Sequence, residues 1–167
     1  MSELRVRPVT DADLPAIRDI YNHYVRSSTV TFDEVESTVA DWERKAARIA
    51  EAGIPFLVAE TQADELLGYA LGAPWSAKSA YRFTIENSIY LAPSAAGRGV
   101  GWAQLAVFLD RCRDAGLREV IAVISDRGAE PSIALHRTAG FADAGRLVEV
   151  GQKFGERLGV RLLQKSL

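Results

Sequence analysis

Residues 86–101 read Glu-Asn-Ser-Ile-Tyr-Leu-Ala-Pro-Ser-Ala-Ala-Gly-Arg-Gly-Val-Gly, and this stretch decides the fold. From Thr84 to Leu91 polar and apolar residues nearly alternate, the period of a half-buried strand. Pro93 and Ser94 stop that strand. Gly97, Gly99 and Gly101 then remove Cβ atoms at every second position, so the backbone can turn tightly and approach a ligand. An amphipathic helix follows directly. Its first N–H groups lack partners inside the helix and carry partial positive charge, which makes a phosphate cradle. One strand–turn–helix unit therefore carries both a carboxylate, Glu86, and a phosphate site.

Several readings of the glycine turn compete. A nucleoside triphosphate loop requires Gly-x-x-x-x-Gly-Lys-Ser/Thr, and no Lys follows these glycines. A dinucleotide fingerprint requires Gly-x-Gly-x-x-Gly with an acidic residue about 20 positions on. Here the spacing is Gly-x-Gly-x-Gly, and Glu119 precedes the next apolar strand rather than ending it. The pyrophosphate of coenzyme A and a ligand-free connection both remain open on these residues alone.

The rest of the chain narrows the class. Its 167 residues suit a single domain, 1–167, and 48% hydrophobic with 25% charged residues is an ordinary globular balance. The net charge of −2 provides no basic field for nucleic acid. The lone Cys112 cannot form an internal disulfide, which agrees with a reducing cytoplasm. Residues 1–10 hold no secretory hydrophobic region, and no apolar run approaches the ~18 residues of a membrane span. Two histidines and one cysteine, far apart in sequence, do not predict a metal site.

The pattern predicts strands at 4–8, 56–60, 66–74, 82–91 and 120–124, and near 142–150 and 160–164. It predicts a helix opened by Thr10–Asp13, another capped by Ser37 or Thr38 and ended by Gly53, one from the glycine turn to Gly116, and a short one at 132–139. The Trp102, Leu105, Leu109 and Cys112 stripe makes Cys112 a buried core thiol. The order β-α-α-β-β-β-α-β-α-β-β implies an α/β (α+β) fold, one mixed sheet of about six or seven strands with helices on both faces.

At this point the chain resembles the GNAT superfamily of acyl-CoA N-acyltransferases, and within it the phosphinothricin and methionine sulfoximine N-acetyltransferases. The resemblance spans essentially the whole chain. It is carried by Ile20-Tyr-Asn-His-Tyr-Val25, Ser28-Thr-Val-Thr-Phe32, Ala80-Tyr-Arg-Phe-Thr-Ile-Glu86, Ser88-Ile-Tyr90, Gly97-Arg-Gly-Val-Gly101, Ala122-Val-Ile124, Ser132-Ile-Ala-Leu-His136, Ala139-Gly-Phe141 and Lys153-Phe-Gly155. It implies transfer of an acetyl group from acetyl-CoA to the α-amine of a small amino-acid-like acceptor, without a metal, by a homodimer. Glu86 and His136 fall on the family's catalytic residues. Phe32, Lys78, Tyr81 and Arg82 fall in segments lining the acceptor pocket. Ile89, Tyr90 and Leu91 fall along the pantetheine arm, Gly97, Arg98, Gly99, Val100 and Gly101 at the pyrophosphate, and Ser132 near the coenzyme. The chain departs from the family pattern at Ala96 and Ala129, which bear on coenzyme affinity, and at Arg157 and Gly159, which bear on the acceptor side or the dimer surface.

The residue chemistry fits that implication. An α-amine is mostly protonated at neutral pH, and attack on a thioester needs its free base. A positioned carboxylate can take the proton directly or through a water. Glu86 is the candidate, and the bare alternative is an exposed strand glutamate. His136 could relay a proton or protonate the leaving thiolate, as could Tyr81 or Tyr90. Arg82 can bind an α-carboxylate bidentately and Lys78 as a point charge. Two other readings stand beside this one: an N-acetyltransferase for another amine (an ordinary amino acid, a polyamine or a protein N-terminus), and a non-catalytic acyl-CoA-binding module.

Overall fold

The computed structural model describes residues 4–167. Its elements run β1 (Arg5–Pro8), α1 (Leu14–Ser27), α2 (Val39–Glu51), β2 (Phe56–Glu60), β3 (Leu66–Pro74), β4 (Thr84–Leu91), α3 (Val100–Asp114), β5 (Glu119–Ser125), α4 (Glu130–Thr138), β6 (Ala142–Lys153) and β7 (Glu156–Ser166). This order is the one that the hydrophobic periods predict. The helix boundaries follow from local chemistry. The Thr38 amide donates to Asp41 Oδ2 at 2.8 Å and the Asp41 amide to Thr38 Oγ1 at 3.1 Å, a reciprocal cap that starts α2. The matching Thr10–Asp13 pair closes a single 3-10 turn instead, and α1 begins just after it, at Leu14 with Pro15 in its first turn.

The strands form one seven-stranded sheet in the order β1-β2-β3-β4-β5-β7-β6. All neighbours are antiparallel except β4 and β5. On one face α1 and α2 pack Leu14, Ile17, Trp42 and Ile49 onto Phe56, Val58, Tyr69 and Leu71. On the other, α3 supplies Leu105, Phe108 and Leu109, over Ile85, Val120, Ala122 and Leu163. Cys112 is buried within this second layer, and desolvation pushes its thiol up to about 12. A thiol so placed is not a nucleophile at neutral pH.

The feature that positions a site is the parallel pair. Thr84 to Asn87 pair with Glu119 to Ala122, and beyond Asn87 the two strands part. From Ser88 to Leu91 the β5-facing edge of β4 has no strand partner. Tyr24 Oη on α1 donates to the Leu91 carbonyl at 2.6 Å and holds the free end of β4.

The terminal hairpin is longer than the sequence pattern indicates. β6 runs on to Lys153 and β7 starts at Glu156, leaving Phe154 and Gly155 as a two-residue turn at φ 52° and 74°. Both residues left-handed is the geometry that matches strand twist in a tight hairpin. The stretch 151–159 is rich in Gly and charge, so its strand pairing has no apolar period to reveal it.

Candidate active site

Glu86 stands third on β4, beside Ala73 of β3 and Ile121 of β5, one residue before the last β4–β5 pair. Strand alternation puts Thr84, Glu86, Ser88 and Tyr90 on the α1–α2 face and Ile85, Asn87 and Ile89 on the other. The face around Tyr90 is aromatic. Tyr21 meets Tyr90 edge-on at 5.3 Å and Trp42 at 5.5 Å, and Tyr69 stacks on Tyr90 at 5.7 Å. Glu86 is half-buried, and desolvation raises its carboxyl above the usual range, while the Lys45 ammonium pulls it back. Desolvation also pushes the Tyr90 phenol up to about 12, so it is a protonated donor on the same face as Glu86 at neutral pH.

Lys45 was not legible as a site residue, because it lies outside the apolar stripe of α2 that the sequence displays. Its residue is exposed, yet its ammonium lies 5.0 Å from the Trp42 ring centroid and desolvation lowers its pKa. Asp33 and Glu86 oppose that shift. Lys45→Met removes the cation that favours the ionised form of Glu86. The carboxyl pKa therefore rises further, and the acid limb of a kcat/KM profile moves to higher pH. An unmoved limb contradicts this placement of Lys45.

A groove of about 330 Å³ fills the gap between β4 and β5. Its walls include Ile89, Leu91, Ala96, Ala129, Ser132 and Leu135. The glycine turn adjoins it. Gly97 at φ 72° and Gly99 at φ 77° are left-handed, and a Cβ on either would meet nothing within 4 Å, so the turn is open to a ligand. Gly101 has a different part. It lies inside α3, and its missing Cβ lets the helix pack against Leu91 and Leu135, at 3.5 and 3.3 Å from the ideal Cβ position. Two of the three glycines shape the turn and the third seats the helix.

His136 is buried with 2% exposure, on the α3–α4 face of the sheet, where it packs edge-on against Phe141 at 4.9 Å. Its Nδ1 lies 2.7 Å from the Ser132 carbonyl and its Nε2 3.0 Å from Asn87 Nδ2. Desolvation lowers its pKa. A proton relay with Glu86 needs a free ring nitrogen on the carboxylate's face. The structure gives neither condition, because Asn87 and Glu86 are consecutive strand residues and point oppositely.

Of the acceptor-side candidates, Lys78, Tyr81 and Arg82 lie together on the exposed connection between β3 and β4, around a 3-10 turn at Ser79–Tyr81. Arg82 stacks on Phe83 at 4.4 Å and donates to the Ser79 carbonyl at 3.2 Å. Phe32 lies on the α1–α2 loop and packs over Gly151 of β6, where a Cβ would approach its ring to 2.6 Å. Lys153 holds that loop. Its side chain is 1% exposed, and Nζ donates to the carbonyls of Ser28 at 2.7 Å and Thr31 at 2.9 Å. The departures at 157 and 159 are locally accommodated. Arg157 pairs with Glu149, and a Cβ at Gly159 would sit 2.6 Å from Asp126 Oδ2, whose other oxygen accepts from the Gly159 amide at 3.0 Å.

Among the described residues no cluster of His, Cys, Asp or Glu could hold a metal, and no helix is long and apolar enough to cross a membrane. A family model described as the Acetyltransferase (GNAT) family matches residues 17–141. The chain is 44% identical to a phosphinothricin N-acetyltransferase of Alcaligenes faecalis, over 97% of this chain and 82% of that one. It is 36% identical to an L-methionine sulfoximine/L-methionine sulfone acetyltransferase of Pseudomonas aeruginosa, over 97% and 94%. Among solved structures, a phosphinothricin acetyltransferase from Sinorhizobium meliloti in complex with acetyl-CoA superposes with a TM-score of 0.93 at 37% identity, over 100% of this chain and 89% of that one.

Proposed function

The chain belongs to the GNAT acetyltransferase family, and from that premise we propose that it transfers the acetyl group of acetyl-CoA to the α-amine of a small amino acid of the phosphinothricin or methionine sulfoximine type. The observation that carries this reading is the place of Glu86, half-buried at the closed end of the β4–β5 split and facing an aromatic-walled surface. The split opens the sheet, so a thioester lying in the groove is reachable from the Glu86 face.

Glu86 takes a proton from the acceptor's ammonium, directly or through a water. The freed amine attacks the thioester carbonyl, a C–N bond forms, the C–S bond breaks, and the thiolate takes a proton. Tyr90, protonated and lining the groove, is a candidate for that last donation, as are His136 and Tyr81. Gly97 to Gly101 and the start of α3 hold the pyrophosphate, while Ile89 and Leu91 offer backbone groups to the arm. Lys78 and Arg82 anchor the acceptor's carboxylate and Tyr81 and Phe32 its apolar part. A second copy fits on β6, an edge strand whose Leu147, Val148 and Val150 are exposed beside Phe154 at the hairpin tip. Light scattering checks the resulting homodimer. The cytoplasm, reducing and supplied with acetyl-CoA, suits the single free cysteine.

The substrate class is tested by comparing an amino acid with the amine that lacks its carboxylate. Losing a charge-assisted, bidentate contact lowers kcat/KM by about tenfold to a hundredfold. Arg82→Ala should remove most of that preference. Equal turnover of both acceptors by the wild-type enzyme would point to another amine.

A further inference from the structure

Trp102 leads the apolar stripe of α3 in the sequence, yet the fold leaves it out of the core. It is 49% exposed, while Leu105, Leu109 and Cys112 behind it are buried. Trp42, by contrast, is packed against Tyr21, Phe56 and Tyr69. The direction of Trp102 follows from its neighbours, because each helical residue turns about 100° from the one before. Val100 packs with Ala59 of β2 and Leu67 of β3. Gly101 faces Leu91 of β4 and Leu135 of α4. The next step of the helix carries Trp102 past Leu135, to the α4 side and out toward solvent. It stands three residues beyond Gly99, about 4.5 Å along the axis. The groove between β4 and β5 is lined as far as Ala96, and the residues from Gly97 to Trp102 are outside its walls. It therefore takes the acylated arm, and the nucleotide end of a coenzyme leaves it at the glycine turn. In coenzyme A a single ribose joins the pyrophosphate to the adenine. A base whose pyrophosphate is held at Gly97 to Gly101 thus lies on the surface, within reach of the exposed indole.

Resting on the reading of the chain as an acetyl-CoA enzyme, we propose that Trp102 is the platform on which the coenzyme's adenine stacks. An indole offers a large, flat, rigid face, and a purine stacks on it without needing a particular hydrogen-bond pattern. Trp102 is then a coenzyme-binding residue outside the groove. It supplies affinity beside a turn whose position 96 offers only the methyl group of Ala96. It touches the end of the coenzyme that does not react, so it acts on affinity and not on the rate of acyl transfer.

Titration with acetyl-CoA, followed by calorimetry and by indole fluorescence, tests this contact without any acceptor. Trp102→Ala should weaken acetyl-CoA binding about 5–100-fold. Its Tm should stay at the wild-type value, because the side chain is already half in solvent. 4′-Phosphopantetheine, the arm without its nucleotide, should bind the wild type and Trp102→Ala with the same Kd. Wild-type emission should fall as acetyl-CoA binds. Trp102→Phe, which keeps a ring and removes the reporter, should bind nearly as well as the wild type and lose most of that change. Wild-type acetyl-CoA affinity in Trp102→Ala overturns the proposal. So does an equal loss of affinity for 4′-phosphopantetheine, which places the effect in the groove. A full emission change in Trp102→Phe also overturns it, since the change then belongs to Trp42 or Trp75. Each of these results leaves the acetyl-CoA reading standing. A wild-type chain that binds no acetyl-CoA at all overturns that reading, and this inference with it.

Discussion

Glu86→Gln is expected to lower kcat by about 10²–10⁴-fold while leaving acetyl-CoA affinity at the wild-type value. The substitution keeps the shape of the side chain and removes its capacity to accept a proton. Among the described residues Glu86 makes no hydrogen bond or ion pair whose loss would disturb β4; the Lys45 charge acts on its carboxyl, and a neutral amide relieves the desolvation that raises its pKa. Glu86 is not among the residues that line the β4–β5 groove, so the groove is untouched. Wild-type activity should rise with pH as Glu86 ionises, through a pKa raised above that of an ordinary glutamate. The variant should lose that limb. A variant that keeps its kcat, with the acid limb intact, would show that another group or bulk water takes the proton. A non-catalytic acyl-CoA-binding module would likewise give no change, since there would be no turnover to lose.

The second large effect is expected at Lys153, far from Glu86 in sequence. Lys153→Met retains most of the apolar stem but leaves the Ser28 and Thr31 carbonyls facing a thioether. Two charge-assisted bonds are lost, partly offset because a buried ammonium no longer has to be desolvated. A net cost of about 2–4 kcal/mol follows, which for a chain of this size lowers Tm by roughly 5–15 °C. The carbonyls belong to the loop that carries Thr31, Phe32 and Asp33. That loop closes over Tyr21, whose hydroxyl bonds both Thr31 and Asp33. The acceptor KM should therefore rise in the folded variant, while acetyl-CoA affinity stays put. Thermal melting and acceptor kinetics at a temperature below both transitions check the two parts. An unchanged Tm would mean that the ammonium contributes nothing to the loop's anchorage.

Much of this architecture is legible in local sequence, and the reasons are physical. The alternation through 84–91, the glycine turn and the fully apolar 120–124 run announce the central strands and the helix between them. The carboxylate at Glu86 is visible because it stands in the polar phase of that strand, shortly before the glycine turn. The splay between β4 and β5 is not visible, since it is a matter of where pairing stops and no residue type marks it. The structural roles of Lys45 and Lys153 escape notice for a related reason, although Lys153 lies in a segment that carries the resemblance. A cation on a helix flank or in a glycine-rich hairpin reads as a solvated charge until the tertiary fold lays it over Trp42 or between two carbonyls. His136 shows the opposite limit. Only the resemblance places it among the catalytic residues, since a lone helical histidine is more often structural, and its partner Asn87 stands one position from Glu86, hence on the other face of the sheet.

The central claim is tested most directly by following release of free coenzyme A thiol from acetyl-CoA with phosphinothricin, methionine sulfoximine and methionine sulfone supplied separately. Saturable turnover with at least one of them, forming an acetyl amide at the α-nitrogen, is the predicted result. No thiol release above background with any of the three, from a chain that is folded and binds acetyl-CoA, would contradict the proposed acceptor class.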